Sequence, residues 1–302
     1  VEKYKNKYGI EGNTSARTIA RELALDGLSA FYRWTGRMDA VTRNRVQGVY
    51  LHHLFPEEED GFRNLLRALS RDHYLISYSA AVDRIKSGEI DRPYICFSFD
   101  DGLRQCLRIG QILSEFGVSG CFFICPSLVG ETDGAKLKDI CENRFGMPAM
   151  DLLDWDEVER LLKDGHEIGS HTLNHQVLSR LSERQVQDEV AGSHEFLAHR
   201  LGGVRHFAWP EGRFVHFSPA AARIVYDVGF DSCASAERGC HTHPPSSPVF
   251  CVRRDYISAQ LPLSHALYFL AKNSLTVMPE SNGWPENWIK LLPQSVPQGA
   301  MD

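Results

Sequence analysis

Tyr94-Ile95-Cys96-Phe97-Ser98-Phe99-Asp100-Asp101-Gly102 is the stretch on which the fold turns. An apolar run ending in a turn-forming Asp-Asp-Gly reads as a buried strand that delivers two adjacent carboxylates to its C-terminal end. Further along, His171-Thr172-Leu173-Asn174-His175 places two imidazoles four residues apart. Two imidazoles and one carboxylate make a divalent-metal site with open positions for water and substrate, and the spare carboxylate is placed to act as a base.

Outward from that strand the pattern alternates between short β-like runs and amphipathic stretches. Strands are expected at Val49-Tyr50-Leu51, 74–76, 94–99, 120–125, 166–169, 205–209, near Asp231 and at 249–253, with helices at 59–71, 80–86, 103–116, 155–164, 182–201, 220–228 and 261–272. Repeated strand–helix units argue for an α/β fold with a mostly parallel sheet, a barrel or an open wound sheet. The longer connection from Lys136 to Leu153 has the size of a lid or a substrate-contacting insertion. Residues 1–47 read as a helical N-terminal extension, 48–275 as the catalytic domain, and 276–302, with Pro279, Pro285, Pro293 and Pro297, as an irregular surface strap.

Bulk properties narrow the function. The 302 residues are 43% hydrophobic, enough for a substantial core, and the net charge of -6 gives no basic footprint for nucleic acid. No run approaches the roughly 18 apolar residues of a spanning helix. There is no glycine-rich phosphate loop and no dinucleotide fingerprint. The eight cysteines are scattered, several of them inside apolar runs, so reduced core thiols are expected. That favours the cytoplasm or the cytoplasmic face of a membrane.

Alone, Asp100-Asp101-Gly102 is an ordinary turn signal, and His171 and His175 suit a solvated face or a satisfied core pair. Together with Phe207-Ala208-Trp209-Pro210-Glu211-Gly212, after another expected strand, they become loops on one rim, where catalytic groups of α/β barrels gather.

The segment from Val49 to Tyr256 resembles the NodB-homology polysaccharide deacetylases. The first motif of that family stands as Ser98-Phe99-Asp100-Asp101-Gly102 and the second as His171-Thr172-Leu173-Asn174-His175. The third appears in a Phe-Ala-Tyr-Pro-like form as Phe207 to Gly212, which places the chain near that subgroup. The resemblance implies a distorted (β/α) barrel with about seven parallel strands, fewer than the eight-fold version. It also implies metal-assisted hydrolysis of an N-acetyl, less often O-acetyl, group on a carbohydrate. Asp101, His171 and His175 would hold the metal, Asp100 would take a proton from the attacking water, and the peptide N–H of Glu211 would face the oxyanion. Zinc suits the donor set, and cobalt, nickel or manganese also fit it.

The sequence departs from the family in places. Many members carry an arginine where Ala208 stands, so the partner of Asp100 is expected from Arg253 or Arg254, with Arg254 taken as the candidate. A fourth motif is at best vestigial around Asp231. The Leu-x-His motif that supplies the general acid has one late match, Leu263-Ser264-His265, with His241 and His243 as rivals. Trp209 and Trp155 suit either a sugar platform or a core wall, and the wall is preferred. The expected substrate is a bacterial surface glycan, its precursor or a lipid-linked sugar. A non-sugar amide or imide hydrolase and a noncatalytic glycan-binding protein are the alternatives.

Overall fold

The computed structural model describes residues 16–276 and 282–292; the remainder of the expected extension and strap lies outside them. In chain order the elements are α1 (Ala16–Trp34), β1 (Arg45–Leu51), α2 (Glu59–Asp72), β2 (Tyr74–Leu75), α3 (Tyr78–Ser87), β3 (Pro93–Phe99), α4 (Cys106–Glu115), β4 (Gly120–Ile124) and α5 (Gly134–Asp139). There follow α6 (Trp155–Lys163), β5 (Glu167–Ser170), α7 (Glu183–Leu201), β6 (His206–Ala208), α8 (Pro219–Val228), β7 (Ser232–Ala234), β8 (Cys251–Val252), β9 (Arg254–Tyr256), α9 (Leu263–Ser274) and the single turn α10 (Glu286–Ile289).

The helix starts follow from local chemistry. Asp154 and Ser182 each accept from the backbone three residues on, while Glu157 and Gln185 reach back to complete capping boxes for α6 and α7. Gly88, Gly202 and Gly229 end α3, α7 and α8 in left-handed conformations.

The strands form one parallel sheet in the order β8-β7-β6-β5-β4-β3-β1-β9, with β2 beside β3. The two ends of that path, β8 and β9, are separated in the chain by Arg253 alone. One segment therefore pairs with β7 on one side and β1 on the other, and the strands curl into a (β/α) barrel with its seam at Arg253. The single strand expected at 249–253 is thus two short ones, split because the ladder changes neighbour there.

Strand alternation sorts the core. Val49, Leu51, Phe97, Phe99, Phe122, Ile124 and Phe207 pack outward under the helices, whereas Val46, Cys96, Cys121, Phe123, Ala208, Ala234 and Val252 fill the interior together with Tyr78 and Ile85 of α3. The insertion between β4 and α6 forms its own cluster, in which Leu137, Ile140, Cys141 and Met150 meet Phe55, Leu103 and Cys125. All eight cysteines are free and buried.

Two expectations about the periphery change. The described part of the C-terminal strap is not confined to the surface: Trp284 is buried and lies parallel to Trp209 at 6.0 Å, while Trp209 stacks on Phe217 at 4.2 Å. Its prolines mark the segment as irregular in the sequence, but its tryptophan carries too much apolar area to stay outside. The helical extension is fastened by Asp26 of α1, which meets Nε2 of His265 on α9 at 2.8 Å. Among the described residues no helix is long and apolar enough to cross a membrane.

Candidate active site

At the C-terminal end of the sheet, β3 runs out into Asp100 and Asp101. Their carboxylates share a pocket of about 260 Å³ with Tyr50, His52, Phe145, His171, His175, Glu211, Gly212 and Ala236. Successive residues of a strand point to opposite sides, so two adjacent carboxylates at its end need a break in the extended backbone to serve one pocket. That break is Asp101, at φ 76°, followed by Gly102 at 69°. Thr172, His175 and Glu211 also adopt positive φ, so of the non-glycine residues in that region among the described ones only Asn282 lies elsewhere. Left-handed backbone is costly for such residues, above all for β-branched Thr172, and its concentration here marks loops shaped for their side chains.

Asp101, His171 and His175 are buried, with ligand atoms within 4.8 Å of one another, the one such group among the described residues. Nε2 of His171 and of His175 lie 3.5 and 3.2 Å from Oδ1 of Asp101. Nδ1–H of His171 donates to the carbonyl of Ala208 at 2.7 Å, which leaves the Nε2 lone pair for the pocket. The ring of His175 is held by the edge of Phe145 at 4.7 Å, and its Nδ1 is buried without a partner. Burial pushes the Asp101 carboxyl up, but the two imidazoles beside it outweigh that effect and hold it well below the usual range. Two imidazole nitrogens and an ionised carboxylate converging in a buried pocket fit a divalent ion.

Asp100 is held by Arg254. Nη1 donates to Oδ1 at 2.7 Å and Nη2 to Oδ2 at 2.9 Å, a bidentate pair inside the barrel. The remaining donors are also fixed, Nε on the Ser235 carbonyl at 2.9 Å and Nη1 on Ser98 Oγ at 3.0 Å. The guanidinium lies between the rings of Tyr50 and Phe123. Gly48, opposite Arg254 in the β1–β9 register, makes room: a Cβ there would sit 3.1 Å from Arg254 Cγ and from the Arg253 carbonyl. Burial raises the Asp100 pKa, yet the Arg254 charge, with His171, brings it below the usual carboxylate value.

The third-motif loop is pinned from the other side. Gly212, at φ 59°, approaches Ala236 so closely that a Cβ would come within 2.3 Å of the Ala236 methyl. Ala236 N–H donates to the Gly212 carbonyl at 2.8 Å. The peptide N–H of Glu211 donates to no group among the described residues.

The expected acid candidates lie elsewhere. His265 is buried against Asp26, His241 accepts from the Arg253 N–H at 3.1 Å, and exposed His243 contacts Thr242. None lines the pocket. The Leu-x-His match falls in the first turn of α9, on the outer layer of the barrel, which is why it points at α1. His52, one residue past β1, lines the pocket instead, with its ring 5.5 Å from Tyr50 and 5.8 Å from Tyr256. Sequence reading passed over it, although its position after a strand, on the same rim as Asp100, is the signal that marks it.

Residues 87–231 match the family model described as polysaccharide deacetylase. That segment, a little under half of the chain, carries the similarity to the polysaccharide deacetylase family. Among solved structures, the deacetylase PplD of Streptococcus pyogenes, determined with acetate, is 16% identical, with 78% of this chain and 99% of that one covered at a TM-score of 0.60. IcaB from Ammonifex degensii is 17% identical over 76% and 98% of the two chains, also at 0.60. The deacetylase domain of BpsB from Bordetella bronchiseptica is 15% identical over 72% and 97%, at 0.56. These likenesses show a shared fold.

Proposed function

We propose that this chain is a metal-dependent hydrolase of the polysaccharide deacetylase family that removes N-acetyl groups from a carbohydrate, releasing acetate and a free amine. The observation that carries the reading is the bidentate Arg254–Asp100 pair beside the Asp101, His171 and His175 cluster in one polar pocket. Asp101, His171 and His175 would hold a divalent ion, zinc by the donor set, which would supply Lewis acidity toward the amide carbonyl and the attacking water.

The remaining roles belong to the chain. Asp100 takes the proton from the attacking water, and Arg254 keeps that carboxylate ionised and fixes its orientation. The Glu211 N–H faces the oxygen on which negative charge develops. His52 hands a proton to the departing nitrogen, so the C–N bond breaks toward a neutral amine. Tyr50 and Phe145 supply the aromatic part of the pocket wall.

The test is acetate release from N-acetylated oligosaccharides by the purified protein, as isolated, after chelation and after zinc is restored. Acetate that depends on metal and is lost in Asp100→Asn supports the assignment. Bound metal without acetate from any sugar would remove it in favour of a non-sugar amide hydrolase or a glycan-binding role.

A further inference from the structure

Beside the catalytic pocket lies a second cleft of about 350 Å³, within the range of small-ligand sites, and the two share His175 and Glu211 as common walls. Its other walls include Arg144, Gln176, Arg180 and His216. We propose that this cleft binds an anionic group, a carboxylate or a phosphate, carried next to the acetylated sugar, so that the substrate is an acidic glycan. The inference rests on the hydrolase reading above and narrows its substrate class.

The argument begins with charge. Several exposed arginines elsewhere on this molecule hold a carboxylate, among them Arg104 with Glu157, Arg108 with Glu59 and Arg213 with Glu237, whereas others, such as Arg67 and Arg184, stand without one among the described residues; what distinguishes Arg144 and Arg180 is that both line one cleft. Arg144 and Arg180 have no such partner among the described residues, although the chain as a whole is acidic. Two guanidiniums facing one cleft repel each other, and a planar anion relieves that repulsion while matching their donor geometry.

Placement strengthens the case. Arg144 comes from the insertion between β4 and α6, and its Nη1 donates to the carbonyl of Asn174 at 3.0 Å. Asn174 stands directly before His175 and is itself fixed by Glu189, which accepts from its N–H at 2.8 Å and its Nδ2 at 2.9 Å. The guanidinium is thereby indexed to a proposed metal ligand. Arg180 ends the turn Leu178–Arg180 that follows the same motif. Asp100 and Asp101 line the catalytic pocket and not this cleft, which directs an anion toward the arginines, with Glu211 on the wall between the two.

The experiment measures binding to the full chain carrying Asp100→Asn, so that turnover does not interfere. One pair of probes is a hyaluronan tetrasaccharide, alternating glucuronate and N-acetylglucosamine, and its carboxyl methyl ester. A second pair is N-acetylglucosamine 1-phosphate and N-acetylglucosamine. The acid of at least one pair is expected to bind about tenfold tighter than its neutral counterpart, with the gap shrinking from about 0.05 to about 0.5 M salt. Adding Arg144→Gln and Arg180→Gln together should reduce the ratio to within about twofold, while Arg180→Lys keeps most of it. The pair that shows the gap identifies carboxylate or phosphate as the anion. No gap in either pair, or a gap that survives both glutamines, overturns the proposal. Loss of all binding in the double variant is checked by circular dichroism, and Arg180→Glu, which should invert the preference, then decides. Acetate release by the unsubstituted enzyme from a neutral chito-oligosaccharide separates the two claims, since it sustains the hydrolase reading even where the acidic-substrate inference fails.

Discussion

Arg254 and Asp100 come from strands on either side of β1, yet two guanidinium nitrogens meet two buried carboxylate oxygens at 2.7 and 2.9 Å. A charge so buried depends on its partner. Truncation as Arg254→Met leaves Asp100 uncompensated, which costs about 3–5 kcal/mol or forces the carboxyl to take up a proton. Acetate release should fall by roughly 10²-fold or more, with the low-pH limb of the pH–rate profile, which reports the general base, moved to higher pH. Arg254→Lys keeps the charge but loses the fork, so an intermediate loss is expected. Equal kcat in all three proteins would detach Arg254 from the reaction.

His52 and His265 offer a direct contrast, because one lines the pocket and the other is committed to Asp26 on α1. His52→Gln should lower kcat by about 10²-fold and spare substrates whose leaving group needs no proton. His265→Gln should lower the thermal midpoint and leave kcat nearly intact. The reverse pattern would return the acid role to the Leu-x-His match.

Metal binding has a readout apart from turnover. An ion that binds the folded chain stabilises it by about 2.7 kcal/mol at a free concentration 100 times Kd. Zinc added after chelation should therefore raise the thermal midpoint, and His175→Ala should abolish the rise. A midpoint indifferent to zinc would leave Asp101, His171 and His175 as a purely structural cluster.

Much of this architecture was legible in the chain. The run from Tyr94 to Phe99, the capping signals at Asp154 and Ser182 and the paired histidines each carry local information, and the structure brings Asp100, Asp101, His171 and His175 to one pocket. Arg254 was visible only as a candidate, because its meeting with Asp100 depends on where the barrel seam falls. His52 was passed over because it stands in no motif, and the Leu-x-His match at His265 says nothing of which face of an element its side chain takes. Trp284 was hidden by its proline-rich surroundings, since composition marks a segment as irregular without saying whether it is buried.

His206 sits at the opposite end of the barrel, with Nδ1 on Ser232 Oγ at 2.9 Å and Nε2 on Ser79 Oγ at 2.8 Å. Burial lowers its pKa to about 3, with Arg205 adding to the effect. A depressed folded pKa means that the unfolded chain binds the extra proton, so this contribution is complete above about 6.5 and is lost as pH falls toward 3. Across that window each such group tilts stability by up to about 1.4 kcal/mol per pH unit. His206→Asn should remove one proton's worth of that slope, measured as the thermal midpoint against pH. An unchanged slope would mean that His206 already binds its proton in the folded protein.

Asp255 has the opposite sign. Its Oδ2 accepts from Gln47 Nε2 at 2.6 Å outside the barrel wall, and burial raises its pKa to about 7 against the lowering effect of that hydrogen bond. The folded state holds the proton where the unfolded chain has released it, so this stability is present below about 3.9 and disappears as pH rises through 7. Asp255→Asn keeps the shape without an ionisable group. The variant should therefore melt higher than the unsubstituted protein at pH 8, with the advantage narrowing as the pH falls below 7. Because the neighbouring Arg254 turns inward to Asp100, acetate release should change little. A variant that melts lower at pH 8 would show that Asp255 is ionised in the fold and held by a charge rather than by its proton.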